Sequence, residues 1–247
     1  MRNVERWRPS KFEFHGGRLR GSRNPAELGV GSRLVADIVA GYYQRHLRDH
    51  VGGRVLDLGC GKVPLWEAYR DLSSQVVCVD WGNTLHKNEF LDFECDLSQP
   101  LPFGDEEFDT IILSDVLEHL PQPELLWSEM TRIMRPSATL LMNVPFYYWL
   151  HETPFDFYRY TEFALRRFVS KAGLQLLHLE SIGGAPEVMA DVFAKCAVGG
   201  APLFGRPLAL GAQWLTALLL RLKIGRKFSD ATKRQFPLGY FLIAKKI

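Results

Sequence analysis

The sequence is poor in cysteine. Its 247 residues contain four, at positions 60, 78, 95 and 196, and no two of them form a CxxC pair. Zinc sites and disulfide frameworks need such clusters, so neither is expected. No cleavable signal segment is recognisable, which favours a reducing, cytoplasmic environment. With 47% hydrophobic residues, the chain is expected to fold as a single domain with insertions, spanning 1–247.

The sequence also lacks an apolar helix long enough to cross a membrane. Between Arg206 and Arg221, 14 residues carry no charge, whereas a membrane-spanning helix needs about 20. Cations follow at positions 221, 223, 226 and 227. Residues 205–228 therefore predict either an interfacial helix that contacts anionic lipid headgroups, or a helix packed on the core or between subunits.

Acidic residues are scarce at both ends of the chain and concentrated in its middle. Residues 1–54 hold 11 Lys and Arg against 5 Asp and Glu, and residues 132–247 hold 16 against 7, whereas residues 55–131 hold 3 against 16. The basic flanks indicate an anionic partner such as phosphate, nucleic acid or lipid, or else an ordinary solvated surface. The signatures of RNA-binding modules are absent, so no nucleic-acid partner is expected.

Short β-branched runs alternate with amphipathic segments from Arg54 onward, a pattern typical of an α/β fold with helices around a parallel sheet. Right-handed crossovers make such a sheet doubly wound, with ligands beyond the carboxyl ends of its strands. The predicted strands are 54–60, 75–81, 108–116, 138–146, 174–181 and 237–246, and the predicted helices are 31–50, 123–134 and 161–173. Thr161 is the expected N-cap of the last helix.

The rest of the chain is divided around this sheet. Residues 1–50 are expected to form an amino-terminal arm and helix, and residues 51–182 the cofactor-binding core. About fifty residues separate the last two strands, too many for a plain loop, so residues 183–235 are expected to form a helical insertion. Residues 236–247 then supply the last strand.

The segment VLDLGCGKVP, residues 55–64, runs an apolar strand into two glycines. Gly59 and Gly61 are typical of a nucleotide-binding turn, where the backbone approaches the ligand and the next helix offers free amide groups. Pro64 suits the first turn of that helix, which does not need its missing amide. It also replaces the third glycine of the dinucleotide pattern GxGxxG, which argues against NAD and FAD.

Three acidic residues follow the pattern of an adenosine-binding site. Asp57 stands inside the strand end, where an unpaired carboxylate is expensive to bury, so it is expected to bond to the loop or face a cation. Asp80 ends the next strand about 20 residues after the glycines, at the position that binds ribose hydroxyls. Asp96 follows the next segment and is placed to meet an adenine amine. These residues predict a pocket for adenosine with a cationic or amphoteric tail.

The motifs LDLGCG, DLSQPLPFGDEEFDTIILSDVLEHL and EMTRIMRPSATLLMNVP occur in the order found in one known family. Over roughly residues 50–182 the sequence resembles the class I S-adenosylmethionine-dependent methyltransferases of the small-molecule, type 11-like group. This resemblance implies S-adenosyl-L-methionine as cofactor and a Rossmann-like sheet of seven mostly parallel strands with an antiparallel last strand. The cofactor contacts that it implies are Asp57, Gly59, Cys60, Gly61, Asp80, Trp81, Asp96, Leu97, Ser114 and Asp115. Val63 departs from the family's third small residue.

Methyl transfer mainly requires that the nucleophile, the methyl group and the sulfur lie in a line, because the sulfonium already carries a good leaving group. A base that removes the proton of a hydroxyl acceptor makes the transfer faster. Segment 146–161, polar and aromatic, follows a predicted strand where an acceptor should lie. His151 is the first candidate base, or else pins this loop through a backbone hydrogen bond. His119 is the second candidate base, and its alternative role is to shape the cofactor pocket. The HETPF motif at 151–155 is not an HExxH zinc signature, and no metal site is predicted.

Arg159 lies in the same segment and is a third candidate for contact with the substrate. It can bind a phosphate or carboxylate with two hydrogen bonds, or form a salt bridge with Asp156 or Glu152. The aromatic side chains of the segment suit stacking on a sugar face as well as packing into the core. His46 and His50 share a helix face without a third ligand, so surface positions are expected for both.

Residues 78–86 and 147–167 resemble the corresponding motifs of methyltransferases of glycan biosynthesis. That resemblance implies a small-molecule or carrier-linked sugar hydroxyl as the methyl acceptor. RNA, a lipid, a quinone or another small molecule stays open as an alternative acceptor, as does a non-catalytic cofactor-binding scaffold. A homodimer is also left open. The predicted location is the cytoplasm, with peripheral contact at the inner face of the membrane through 205–228.

Overall fold

A computed structural model describes residues 1–82, 89–201 and 203–247 of the chain. Its strands, in chain order, are β1 (Phe12–His15), β2 (Arg18–Gly21), β3 (Arg54–Leu58), β4 (Gln75–Asp80), β5 (Phe93–Glu94), β6 (Phe108–Ser114), β7 (Met134–Pro145), β8 (Leu174–Ile182) and β9 (Gly239–Lys246). β1 and β2 form a separate hairpin, and the other seven form one sheet in the order β5-β4-β3-β6-β7-β9-β8. The strands from β5 to β7 pair in parallel, and β9 runs antiparallel to both β7 and β8. The predicted seven-stranded, mostly parallel sheet with an antiparallel last strand is confirmed.

Helices cover both faces of this sheet. They are α1 (Arg33–His50), α2 (Trp66–Tyr69), α3 (Pro123–Ile133), α4 (Glu162–Lys171), α5 (Ala185–Gly200), α6 (Gly205–Leu219) and α7 (Lys223–Thr232). The predicted N-cap of α4 is present, because the Thr161 hydroxyl accepts a hydrogen bond of 3.2 Å from the amide of Ala164. α5, α6 and α7 form the helical insertion that was predicted before the last strand.

The parallel strands are buried on both faces, which explains their continuous apolar runs. Ile111 and Ile112 in β6 point to opposite faces and are both fully buried. One face is covered by α3 and α4, through side chains such as Trp127 and Leu165. The other is covered by α1, whose Tyr43 is fully buried. The core therefore has two layers, one on each side of the sheet.

The order of the strands determines where a ligand can bind. From β3 the chain continues to β4 on one side, and it returns to pair β6 with β3 on the other. A crevice opens at the carboxyl ends of the strands where the order reverses in this way. Gly59 follows β3 directly and Asp115 follows β6 directly, so residues predicted for the cofactor lie at this edge.

Two local features differ from the sequence-based expectation. The amino-terminal segment, predicted as an arm that leads into a helix, contains the β1–β2 hairpin, whose Phe12 and Leu19 are buried with residues of α1. Its two strands have four residues each, and such short runs do not establish a periodic pattern in the sequence. Pro64 lies in a turn and not in a helix, because α2 begins only at Trp66 and ends at Tyr69.

The helical insertion is joined to the rest of the fold through few side chains. The side-chain amide of Gln213 in α6 donates to the carbonyl of Val30 at 2.8 Å and accepts from the amide of Leu34 at 2.7 Å. A small buried cluster of Val30, Ala194 and Ala209 adds apolar contact. Among the described helices none is both long and apolar enough to cross a membrane alone, and α6 and α7 pass that test only as a pair bent by 100°.

Candidate functional site

The turn after β3 has a backbone that favours glycine. Gly59 and Gly61 adopt φ angles of 65° and 50°, in the left-handed region. A Cβ on Gly59 would lie 2.5 Å from a methyl group of Val116, whereas a Cβ on Gly61 would meet no protein atom within 4 Å. Val63 also has a positive φ of 51°, and its carbonyl accepts a hydrogen bond of 3.1 Å from the indole of Trp7. Gly59 thus permits close packing, and Gly61 borders open space.

Asp80 fastens this turn from the end of β4. Its carboxylate accepts hydrogen bonds of 2.7 Å from the amides of Gly61 and Trp81. The indole of Trp81 packs edge-on against Phe155, with 5.0 Å between the ring centroids, so it connects the turn with segment 146–161. The next residues, 83–88, lie outside the described part of the chain, and with them the end of the 78–86 motif. The predicted contact of Asp80 with ribose stays a prediction.

Asp57 lies beneath the turn. Its side chain is buried and accepts a hydrogen bond of 2.7 Å from the hydroxyl of Tyr69. Burial raises the pKa of Asp57 to about 7, although the hydrogen bond from Tyr69 works in the opposite direction. The sequence predicted that Asp57 bonds to the loop or faces a cation, and the observed partner is instead a side chain of α2. Asp57 therefore supports the turn from the core side.

A hydrogen-bonded network connects the carboxyl ends of β6 and β7. The Asn143 side-chain oxygen accepts from the hydroxyls of Ser114 at 2.8 Å and Tyr43 at 2.7 Å. Its amide group donates to the carboxylate of Asp115, which also binds the ammonium of Lys11 at 2.6 Å. Ser114 and Asp115 were predicted for the cofactor, whereas Asn143 and Lys11 were missed. Lys11 is 104 residues away in sequence, so no local pattern indicates its contact.

The two candidate bases face each other, and we call His119 and His151 the imidazole pair. Their rings are 4.8 Å apart, and each Nε2 lies 3.8 Å from the same carboxylate oxygen of Glu118. Nδ1 of His119 is 2.8 Å from the carbonyl of Phe155, and Nδ1 of His151 is 3.2 Å from the carboxylate of Asp156. These acceptors place a proton on each Nδ1 and leave each Nε2 with a free lone pair.

Charge in the site is controlled largely by burial. Burial and the neighbouring His119 lower the pKa of His151, so its imidazole is neutral near pH 7. Glu118 is fully buried, and burial together with Asp115 raises the pKa of its carboxyl group well above the usual range. Neither oxygen of Glu118 has a hydrogen-bond partner among the described residues. Glu118 was not predicted as a site residue, although it directly precedes His119 in sequence.

Arg159 is engaged inside segment 146–161. Its guanidinium binds the carboxylate of Asp156 through two hydrogen bonds of 2.6 and 2.7 Å, and it also donates to the carbonyl of Trp149 at 3.0 Å. The pKa of Asp156 falls to about 2, because these bonds and that from the His151 amide outweigh the effect of burial. Of the two roles predicted for Arg159, the structure shows the salt bridge with Asp156. Arg159 thereby positions His151 through Asp156.

A cavity of about 340 Å³ extends between the glycine turn and segment 146–161. Its walls include seven of the predicted site residues: Gly59, Cys60, Gly61, Ser114, Asp115, His119 and His151. The other predicted site residues lie outside its walls: Asp57, Asp80, Trp81, Asp96, Leu97 and Arg159. Leu97 is buried in the core, and the Asp96 carboxylate accepts from the amide of Ser98 at 2.8 Å, and the contacts of both with the cofactor stay predictions. Tyr148, Ser32 just before α1, and α1 residues such as Val35 also line the cavity.

Two histidines that line this cavity, together with the buried Glu118, have the composition of a cation site. Within the described ranges, Glu118, His119 and His151 each offer a ligand atom, and these atoms lie within 4.8 Å of one another. Imidazole and carboxylate together suit a divalent transition-metal ion. No metal site was predicted, because the group combines two chain segments and has no spacing motif. His46 and His50, which were expected at the surface, are each half-buried. The ring of His46 packs on that of Phe241, with 5.3 Å between the centroids.

Comparisons with known proteins agree with this arrangement. Residues 56–142 match the model of a family described as a methyltransferase domain. The demethylmenaquinone methyltransferase of Renibacterium salmoninarum is 30% identical over 115 residues, which is 44% of this chain and 45% of that protein. The ubiquinone biosynthesis O-methyltransferase of Burkholderia pseudomallei is 26% identical over 162 residues, which is 55% of this chain and 70% of that protein. The chain thus spans less than half of the first relative's length.

A solved structure supports the fold over nearly the whole chain. It is a SAM-dependent methyltransferase from Archaeoglobus fulgidus with a TM-score of 0.52 and 18% sequence identity, covering 92% of this chain and 95% of its own. The glycines at positive φ and the open space beside Gly61 fit the close approach of a nucleoside cofactor. The family match, the fold and the order of the motifs show that residues 56–142 form a methyltransferase domain of the kind whose cofactor is S-adenosyl-L-methionine.

Proposed function

We propose that the protein transfers the methyl group of S-adenosyl-L-methionine to a hydroxyl group of a small-molecule acceptor. One observation carries this proposal: a single cavity reaches from the glycine turn to the imidazole pair. The cofactor supplies an electrophilic methyl group. The chain's own residues hold the cofactor at the Gly59 and Gly61 end and the acceptor at the His151 end, which aligns the acceptor oxygen with the methyl carbon.

In this proposal His151 removes the proton of the acceptor hydroxyl. Its Nδ1 is held by Asp156, so Nε2 is the atom that accepts the proton. As the proton moves to Nε2, the oxygen–methyl bond forms and the bond between methyl and sulfur breaks. The lowered pKa of His151 keeps the imidazole neutral, and therefore basic, near pH 7. Arg159 contributes by fixing Asp156.

For the acceptor we favour an aromatic hydroxyl on an apolar carrier, as in a quinone precursor. Support comes from the names of the two relatives, which concern demethylmenaquinone and ubiquinone biosynthesis. A sugar hydroxyl is the second candidate, because segment 146–161 exposes aromatic rings suited to stacking on a sugar face. The exposed rings are those of Tyr147, Trp149, Phe155, Phe157 and Tyr158.

Transfer of a radiolabelled methyl group to a panel of acceptors tests the proposal. The panel contains a catechol with a short prenyl chain, the same catechol without the chain, a nucleotide-linked sugar and a lipid-linked sugar. We expect label in the prenylated catechol, and a slower reaction of the variant His151→Ala. Label in a sugar alone would shift the assignment to the second candidate. Cofactor binding without transfer to either class would leave a binding scaffold and contradict the proposal.

A further inference from the structure

Two helices of the insertion, with the residues that flank them, expose many apolar side chains to solvent. Ile224 in α7 is 73% exposed, Trp214 in α6 is 64% exposed, and Leu203 before α6 is 84% exposed. We call the whole set the apolar face. Its members are Leu203, Phe204, Leu208, Leu210, Trp214, Leu215, Leu218, Leu222, Ile224 and Phe228. Contiguous apolar surface of this kind marks an interaction site.

The way in which α6 and α7 are attached reverses the usual pattern of a surface helix. Such a helix ordinarily buries its apolar stripe and exposes its polar residues. In α6 the buried positions are Gly205, Ala209 and Gln213, and in α7 they are Gly225 and Ser229. Each helix therefore rests on the protein along one narrow stripe of small or polar residues, spaced four apart. Most of its apolar side chains point away from the core.

The charge around the apolar face is mostly positive, with Asp230 in α7 as an acidic exception. Between Asp191 and Asp230 the sequence contains no acidic residue. Five cations in or next to α6 and α7 are all exposed: Arg206, Arg221, Lys223, Arg226 and Lys227. Cations at the edge of an apolar helix bind anionic lipid headgroups while the apolar side chains enter the hydrocarbon boundary. A second protein surface of ordinary composition would leave these cations without a matching set of acids.

Apolar side chains are also exposed at the edge of the cavity. Tyr148 and His151 line the cavity, and the two residues between them, Trp149 and Leu150, are 57% and 72% exposed. Segment 146–161 also meets the insertion, because the ammonium of Lys195 in α5 lies 3.3 Å from the ring centroid of Tyr148. A molecule in contact with Trp149 and Leu150 is therefore next to the acceptor end of the cavity.

We propose that the apolar face, together with Trp149 and Leu150, inserts into the headgroup region of an anionic bilayer and brings the cavity to the membrane surface. The acceptor is then an amphiphile that enters the cavity from the lipid. The lipid contact stands independently of the chemistry, whereas the statement about the acceptor rests on the proposed methyl transfer. This contact is peripheral, consistent with the bend of 100° between α6 and α7.

Vesicle co-sedimentation tests the lipid contact, with phosphatidylcholine vesicles that contain or lack phosphatidylserine. No cofactor or acceptor is added, so the result does not depend on the proposed reaction. We expect binding to the anionic vesicles that weakens with salt. One variant replaces Arg221, Lys223, Arg226 and Lys227 with glutamine, and its matched control replaces Arg48, Arg166, Arg167 and Lys171, which are equally cationic and exposed. The first should lose about tenfold or more in affinity, and the control about twofold or less.

A second variant, Trp214→Ser with Ile224→Ser, separates apolar insertion from simple charge attraction. We expect it to lose vesicle binding and to keep its melting temperature, because both side chains are exposed. It should also keep wild-type transfer to the unprenylated catechol while losing transfer to an acceptor embedded in vesicles. Wild-type protein that ignores anionic vesicles overturns the proposal. The proposal is also overturned if the wild-type protein does not bind vesicles and forms a dimer, seen by analytical ultracentrifugation, that this variant does not form.

Discussion

The two glycines of the turn after β3 should respond differently to the same change. Gly59→Ala adds a methyl group where φ is 65° and where a Val116 methyl lies 2.5 Å away. Gly61→Ala adds it where φ is 50° and no protein atom lies within 4 Å. Both substitutions force alanine into the left-handed region, so the difference between them isolates packing from backbone strain. We predict that Gly59→Ala mainly destabilises the fold and Gly61→Ala mainly blocks the cofactor.

The magnitudes follow from these contacts. Left-handed backbone costs a residue with a side chain about 1 to 2 kcal/mol, and overpacking of a tight core site adds about 1 to 3 kcal/mol. Gly59→Ala should therefore destabilise by about 2 to 5 kcal/mol, lowering the melting temperature by about 5 to 15 °C. Gly61→Ala should cost only about 1 to 2 kcal/mol of stability. Its methyl group projects into the cavity, so cofactor affinity should fall by about tenfold or more.

Thermal denaturation and titration calorimetry with S-adenosylhomocysteine measure the two effects separately. Gly41→Ala is the matched control, because Gly41 lies inside α1, has no positive φ and has no protein atom near its Cβ position. It should keep both melting temperature and affinity. If Gly61→Ala binds the product as tightly as the wild type, the turn does not contact the cofactor and the assignment of the site is refuted. Equal destabilisation by both variants would refute the role of Val116.

Three further predictions concern charged groups. Burial raises the pKa of Asp57 from 3.8 to about 7 in the folded chain, so the stability that it contributes is fully present below pH 3.8 and is lost progressively as the pH rises to 7. Asp57→Asn should remove this loss, which amounts to about 2 to 3 kcal/mol between pH 5 and pH 8 in urea denaturation. An unchanged pH dependence would contradict this prediction. His151→Ala should lower kcat by about 10² to 10⁴ with cofactor affinity intact, and should abolish the rise of kcat with pH below 6.5; equal loss of affinity would indicate a structural role. Asp80→Ala should weaken cofactor binding by about 1.5 to 3 kcal/mol in calorimetry, and unchanged binding would exclude it from the site.

The fold was predictable because its signals are periodic and local. Continuous β-branched runs marked the central strands, and their order with the helices fixed the edge at which Gly59, Ser114 and Asp115 meet. The Thr161 cap was equally local, since its partner Ala164 is three residues away. For Arg159 the sequence offered two carboxylate partners, and only the course of the loop selects Asp156.

Other features depend on contacts that sequence spacing does not encode. Lys11, directly before β1, meets Asp115 only through the tertiary fold of the amino-terminal hairpin. The two strands of that hairpin are too short to be predicted from the sequence. In the sequence, Asn143 is an isolated polar residue in an apolar strand. Its hydrogen bonds with Tyr43, Ser114 and Asp115 form only because α1, β6 and β7 meet in the folded chain. The contact of Asp96 with adenine stays a prediction, because a carboxylate that caps a turn occurs in the same sequence context as one that binds adenine.

The hydrogen bonds of Gln213 make the insertion a remote cap for α1. Ser32 occupies the N-cap position of that helix, but its side chain makes no capping bond. The orphan amide of Leu34 is instead satisfied by Gln213, 179 residues further along the chain. A lost N-terminal cap costs about 1 kcal/mol, so removal of 205–232 should fray the first turn of α1 and speed amide exchange at Leu34. Because Ser32 at this turn lines the cavity, the insertion stabilises a turn that forms part of the cavity wall.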